Sequence, residues 1–383
     1  MKRLLGILCT VFLCFGLLPL NAKAVDLNVP AKSALLMDVA TGTILYEHNA
    51  HEALAPASVT KVMTMLLIME AIDTGRISWE DTVTASEAAA AKGGSQVYLK
   101  VGETMAVTDM LKAIAVSSAN DCACAMAEHL AGSESAFVDM MNARAKELGM
   151  EDTHFVNCTG LDDDAEAKNH LTSAHDIALM SRQLLKNHPD IRKFTTIWMD
   201  TLRGGTFGLS NTNKMVRFYS GCTGLKTGFT SSAGYCLSAS AQRDGMELVA
   251  VVMGCDSSKE RFAACKSMLD YGFANFAVVS PSVEQTMHVP VKLGKTDLVN
   301  AVPSEESTLL VDKAQVSSVN IKTELAETVT APVSKGQRLG TMTISVGEQV
   351  LKQIPLVAET GAARLSFGDI FLQMLKAIAG AAP

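Results

Sequence analysis

Residues 54–70, Leu-Ala-Pro-Ala-Ser-Val-Thr-Lys-Val-Met-Thr-Met-Leu-Leu-Ile-Met-Glu, constrain this chain more than any other stretch. From Val62 to Met69 nearly every residue is apolar. A helix here is hydrophobic all round and has to be buried, with other elements built around it. Pro56 stands just ahead of the run, and Ser58 falls where a helix begins, a position that favours a hydroxyl. Ser58 and Lys61 are three residues apart, so hydroxyl and amine share one helical face. Burying an amine is costly unless something uses it. A reactive serine beside an amine base is the economical reading; a helix cap with a snorkelling lysine is the bland one.

A chain of 383 residues with 48% hydrophobic content suggests about two domains with a good core. Lys2-Arg3, the apolar run Leu4 to Leu20 and Ala22-Lys23-Ala24 read as a signal peptide, residues 1–24, cut before Val25; an uncleaved anchor helix is the alternative. Its removal takes away Lys2, Arg3 and Lys23 and no acid, moving the formal charge from −7 to −10. That balance argues against a nucleic-acid partner, which needs a basic face. Seven of the nine cysteines remain in the mature chain, an odd number with no framework spacing, so they read as small buried hydrophobes. The histidines lack a metal-binding spacing, and His154 reads as a structural hydrogen-bonding residue.

In chain order, Ser33–Glu47 reads as two strands around a Thr41-Gly42 turn, followed by the buried helix. Thr108–Leu130 reads as helical with a break near Ser117-Ser118, Ser135–Leu148 as a helix closed by Gly149, and Ser173–Lys186 as another stopped at His188-Pro189. Strand-like runs follow at Phe194–Thr201, Thr223–Gly228, Tyr235–Gln242 and Leu248–Met253, then a helix at Ser258–Phe273. The fold class is therefore α+β: residues 25–278 form an antiparallel sheet sandwiched by helices. Residues 279–360 alternate like a small all-β domain. The tail, 361–383, carries Phe367, Ile370, Phe371, Met374, Leu375 and Ile378 on one helical stripe, ended by Gly380 and Pro383.

Three short motifs carry the chemistry. Ser58-x-x-Lys61 occurs once, Lys226-Thr227-Gly228 once, and Ser-x-Asn twice, at Ser118-Ala119-Asn120 and Ser318-Val319-Asn320, the latter in the β-rich part. Each is weak alone, but their order is the set used by penicillin-binding proteins and serine β-lactamases. With Ala57–Thr64, Ser118–Asp121, His154–Leu161 and Gly224–Tyr235, the chain resembles the low-molecular-mass penicillin-binding proteins, the serine-type D-alanyl-D-alanine carboxypeptidases of peptidase family S11. The likeness covers nearly the whole chain, including the β-rich domain and amphipathic tail.

That resemblance implies a β-lactamase/transpeptidase-like first domain and an exported enzyme on the outer face of the cytoplasmic membrane. It would remove the terminal D-alanine from peptidoglycan stem peptides and be acylated by β-lactams, with no cofactor. Ser58 would be the nucleophile, Lys61 its neutral base, helped by burial and the neighbouring Lys226 cation. Ser118 would relay a proton to the leaving amine, and Asn120 would hold Lys61 and a substrate carbonyl. Lys226 and Thr227 would bind the terminal carboxylate, with Gly228 letting the substrate backbone approach the sheet edge. The backbone N–H groups of Ser58 and Phe229 would form the oxyanion hole; family members can carry histidine where Phe229 stands. Arg261 matches a family arginine that fixes the carboxylate, or else is a solvated charge at a helix start. The tail implies an in-plane membrane helix with Arg364 and Lys376 on its polar side, against the alternative of packing on the β domain. A class A β-lactamase with Glu166 activating water, a D,D-endopeptidase and a catalytically silent wall-binding protein stay open as alternatives.

Overall fold

The computed structural model describes residues 27–163, 165–281 and 287–378; the expected signal peptide and the Gly380–Pro383 stop lie outside them. Strand Ser33–Asp38 and strand Ile44–His48 form the first hairpin, as the Thr41-Gly42 turn requires. Three long strands, Cys222–Thr230, Gly234–Arg243 and Met246–Cys255, complete a five-stranded antiparallel sheet. In spatial order Ile44–His48 and Cys222–Thr230 are its two edges, with Ser33–Asp38 joined to Met246–Cys255 in the middle. All ten residues of Met246–Cys255 are buried, the pattern of a strand covered on both faces.

Side chains alternate between two cores. Leu35, Met37, Val249 and Val251 face one apolar cluster with the long helices; Ala34, Leu36, Leu248 and Ala250 face a second with helix Ser258–Asn275. At the heart of the first cluster is helix Lys61–Asp73, with Met63, Met65, Leu66, Ile68 and Met69 fully buried. Burying each such side chain is worth about 1.5–3 kcal/mol. Helices Val107–Ser117 and Asn120–Ala131 pack against it, broken at Ser118 as the sequence predicts. Residues 120–127 are all buried, and their small Ala and Cys side chains allow that close packing.

Phe194–Thr201 differs from its expected strand. Phe194 lies in a helical turn, Arg192–Thr195, where it is buried and stacks on Trp79 at 5.6 Å. Only Met199–Leu202 is extended, paired with Phe207–Ser210 in a separate ribbon. Tertiary burial of the aromatic ring has overridden its strand propensity. The seven cysteines of the described residues are all unbridged, and six are buried.

The β-rich part is a six-stranded sheet with its own core, centred on Val289, Met342, Ile344, Ile354 and Leu356. The boundary expected at residues 278/279 falls inside strand Phe276–Val279, which pairs with Leu309–Asp312. There Leu310 enters the first domain's second core, while Leu309 and Val311 enter that of the β domain. Helix Phe367–Ile378 follows, with Phe367, Phe371, Leu372, Met374, Leu375 and Ile378 exposed rather than packed on the sheet. No helix among the described residues is long and apolar enough to cross a membrane.

Candidate active site

A 3-10 turn, Ala57–Thr60, leads directly into helix Lys61–Asp73. Ser58 does not cap it through its side chain; instead its Oγ accepts a hydrogen bond from Lys61 Nζ at 3.0 Å. The amine donates a second bond, of 2.8 Å, to Thr159 O and is fully buried. Burial brings the amine down from 10.5 to about 7, against the opposing pull of the Asp121 carboxylate. A lysine half neutral at neutral pH, bonded to a serine hydroxyl, is a competent general base.

Ser118 occupies the joint between its two helices in the left-handed region, φ 63° and ψ 29°. Its hydroxyl is buried without a hydrogen-bond partner among the described residues. Asn120 opens the next helix, where its Nδ2 donates to Gly93 O at 2.7 Å and its Oδ1 is left unpartnered. The expected Asn120–Lys61 contact is not made: Lys61 donates to Thr159 O instead. Asp121, next in line, accepts from the N–H groups of Val97 and Leu99 at 3.1 and 3.0 Å, fixing the loop that meets Asn120.

Lys226, Thr227 and Gly228 lie on the edge strand Cys222–Thr230. Lys226 is fully buried, its Nζ donating to Thr227 O at 2.8 Å. Burial, with Lys61 and Arg261 nearby, holds its amine well below the usual lysine value. Burial is the leading cause of the drop at Lys61, as it is at Lys226, and repulsion between the two amines, which acts on both, works in the same direction. Thr227 donates its hydroxyl to Thr212 Oγ1 at 2.7 Å. Gly228 faces the turn that carries Ser58, since a Cβ there would lie 2.6 Å from Pro56 O and 3.1 Å from Ser58 N. This gives the glycine a reason beyond the expected substrate approach: it lets the strand and the Ser58 turn close on each other. Phe229 is half exposed and packs on Tyr235 with ring centroids 4.3 Å apart.

Arg261 sits in the first turns of helix Ser258–Asn275, which starts with a Ser257/Glu260 capping box. It is buried, not solvated; Nη1 donates to Gly228 O at 2.8 Å and Cys236 O at 3.3 Å. The guanidinium therefore braces the Lys-Thr-Gly strand from behind. Ser318 and Asn320 are exposed on the β domain, away from this cluster. Glu166 is exposed too.

Sequence reasoning assigned no role to the Asn157–Leu161 crossing or to His170. Asn157 Oδ1 accepts from Thr159 N and Gly160 N at 3.1 and 2.7 Å, shaping the turn that presents Thr159 O to Lys61. His154 bonds through its backbone to Leu171, with an exposed side chain; the imidazole buried in this region is that of His170, 2.8 Å from Thr60 Oγ1. The polar Asn-x-Thr-Gly run inside an apolar context was the available signal.

Comparison with known proteins supplies the family and the fold relatives of this chain. The D-alanyl-D-alanine carboxypeptidase family, peptidase S11, matches residues 20–257, and the C-terminal domain of penicillin-binding protein 5 matches residues 281–363. This chain belongs to peptidase family S11. It is 42% identical to D-alanyl-D-alanine carboxypeptidase DacF of Bacillus subtilis (strain 168), over 96% of each chain. Penicillin-binding protein 5 of Haemophilus influenzae superposes with a TM-score of 0.76 at 29% identity, covering 88% of this chain and 98% of that one. Penicillin-binding protein D2 of Listeria monocytogenes, solved in an ampicillin-bound form, matches 65% of this chain and all of its own at 32% identity and a TM-score of 0.59. The S11 chain is a serine-type D-alanyl-D-alanine carboxypeptidase with the penicillin-binding protein fold.

Proposed function

We propose that Ser58 attacks the penultimate D-alanine carbonyl of a peptidoglycan stem peptide, and that the observation carrying this reading is the 3.0 Å bond between a buried Lys61 amine and Ser58 Oγ. The neutral amine takes the hydroxyl proton as the Oγ–carbon bond forms. The proton then passes to the departing D-alanine nitrogen through Ser118 as the peptide C–N bond breaks. Water hydrolyses the acyl-enzyme by the reverse proton path. Charge on the carbonyl oxygen is met by the N–H groups of Ser58 and Phe229. Lys226 and Thr227 hold the terminal carboxylate, and Arg261 supports them by fixing the strand.

The enzyme is exported by the segment 1–24 and rests on the outer face of the cytoplasmic membrane through helix Phe367–Ile378. Supporting that are the exposed apolar face and the tether from Lys295 to Asp369, 3.3 Å apart, at the helix start. A fluorescent penicillin tests the chemistry. Persistent labelling that Ser58→Ala abolishes, together with loss of D-alanine release, supports the assignment. Rapid turnover of the label would indicate a β-lactamase, and release surviving in Ser58→Ala would remove Ser58 from the mechanism.

A further inference from the structure

We propose that His170 and Thr60 form a relay that sets the peptide plane between Ala57 and Ser58, aiming the Ser58 N–H into the oxyanion pocket. His170 is thereby a positioning residue for the reaction. The inference rests on Ser58 being the nucleophile and its N–H an oxyanion donor, as proposed above.

The imidazole of His170 is buried, with the ring of Phe155 at its edge, 5.6 Å between centroids. Nδ1 accepts a hydrogen bond from Val156 N at 3.0 Å, so that nitrogen carries no proton. The ring proton is then on Nε2, 2.8 Å from Thr60 Oγ1, and is donated to it. Thr60 in turn donates its own hydroxyl proton to Ala57 O at 2.8 Å. Each link has one direction, and the chain ends on the carbonyl just before the nucleophile.

A trans peptide points its C=O and N–H in opposite directions. Holding the Ala57 oxygen on the Thr60 side therefore turns the Ser58 N–H away from it. On that far side lies Gly228, whose missing Cβ would stand 3.1 Å from Ser58 N, next in the chain to Phe229 and the second donor. Gly160 closes over the Ala57 carbonyl so tightly that a Cβ there would overlap it. Ala57 has φ +48°, a conformation that residues with a Cβ seldom hold unaided. The clamp on its oxygen is what retains the turn, and the polar residues that supply it lie far apart in sequence.

Thr60→Val removes the hydroxyl while nearly preserving shape, Thr60→Ser restores it, and His170→Ala removes the first donor. Second-order acylation by a fluorescent penicillin, kcat and KM on a D-Ala-D-Ala peptide, and affinity for a peptidyl boronic acid that bonds to Ser58 are measured on the full chain. Thr60→Val and His170→Ala each lower acylation and kcat about tenfold to a hundredfold, the range expected when a reacting group is misplaced. KM changes by less than about twofold, boronate affinity falls in parallel with acylation, and the double variant falls no further than either single one. Thr60→Ser retains near wild-type rates. Wild-type acylation in Thr60→Val, a loss confined to KM, or unchanged boronate affinity overturns the relay while leaving the nucleophile in place. A wild-type chain that penicillin does not label overturns the nucleophile assignment and the relay with it.

Discussion

Raising the pH through neutrality should switch on acylation of Ser58 under the proposal that Lys61 is the titrating base. Burial brings that amine from 10.5 to about 7. At pH 7 about half the molecules then hold a neutral base, against about one in three thousand for a solvated lysine. Burial therefore supplies about three orders of magnitude in competent enzyme. Stopped-flow measurement of penicillin acylation at constant ionic strength should show a tenfold rise per pH unit on the acid side and a plateau above about pH 8. Asp121 opposes the shift, so Asp121→Asn should move the midpoint to lower pH. A rate that is flat from pH 5 to 9, or a midpoint near 10, would refute Lys61 as the base. An upward movement in Asp121→Asn would contradict the electrostatic account.

The same burial fixes the sign of a stability effect. The unfolded chain, with an ordinary lysine at 10.5, binds more protons than the folded one between about pH 7 and 10.5. Stability therefore rises with pH across that window, and below about pH 7 the penalty is complete, on the order of 5 kcal/mol. Lys61→Met should lose acylation and yet melt at a higher temperature at pH 6.5. The gain is reduced by the donor that Thr159 O loses, about 1–3 kcal/mol.

Lys226→Ala should impair hydrolysis of a peptide with a free terminal carboxylate far more than of the same peptide ending in an amide; equal losses would remove Lys226 from carboxylate recognition. Because its amine is held well below the usual lysine value, binding a carboxylate-ended peptide should draw a proton onto it, seen as a binding enthalpy that varies with the buffer's ionisation heat. Gly228→Ala places a methyl 2.6 Å from Pro56 O and should cost about a hundredfold in acylation while circular dichroism stays native. A chain ending before Phe367 should stop floating with lipid vesicles and keep its activity on soluble peptides; retained flotation would place the membrane contact elsewhere.

Most of the framework was legible because the physical signals were local. The apolar run of Val62–Met69, the Gly149 stop and the apolar run Leu248–Met253, which lies inside strand Met246–Cys255, each state their own environment. The three motifs were legible as a set, since order and chemistry together leave little room for chance. What was hidden depends on crossings between distant segments. Thr159 reaches Lys61 from 98 residues away, and His170 reaches Thr60 from 110. No periodicity encodes which carbonyl a buried amine will choose, so Asn120 was expected where Thr159 stands. Phe194 fails for the converse reason: its neighbours suit a strand, but Trp79 offers a better place for its ring.

The open hydrogen-bonding valences explain why these residues are assembled at a cost in stability. Native interiors pair nearly all their buried polar atoms. Among the described residues, five buried side-chain atoms lack a partner, and three of them are Ser118 Oγ, Asn120 Oδ1 and Arg261 Nε. The first two belong to one motif, and the third to the residue bracing the Lys-Thr-Gly strand at Gly228. On the proposed mechanism a substrate amide would bring the N–H that Asn120 Oδ1 lacks, and the leaving amine would accept the proton that Ser118 Oγ gives. Binding would then complete bonds that folding left unmade. The interaction would be strongest where charge and protons move, which is the condition for binding energy to lower a barrier rather than to hold the ground state.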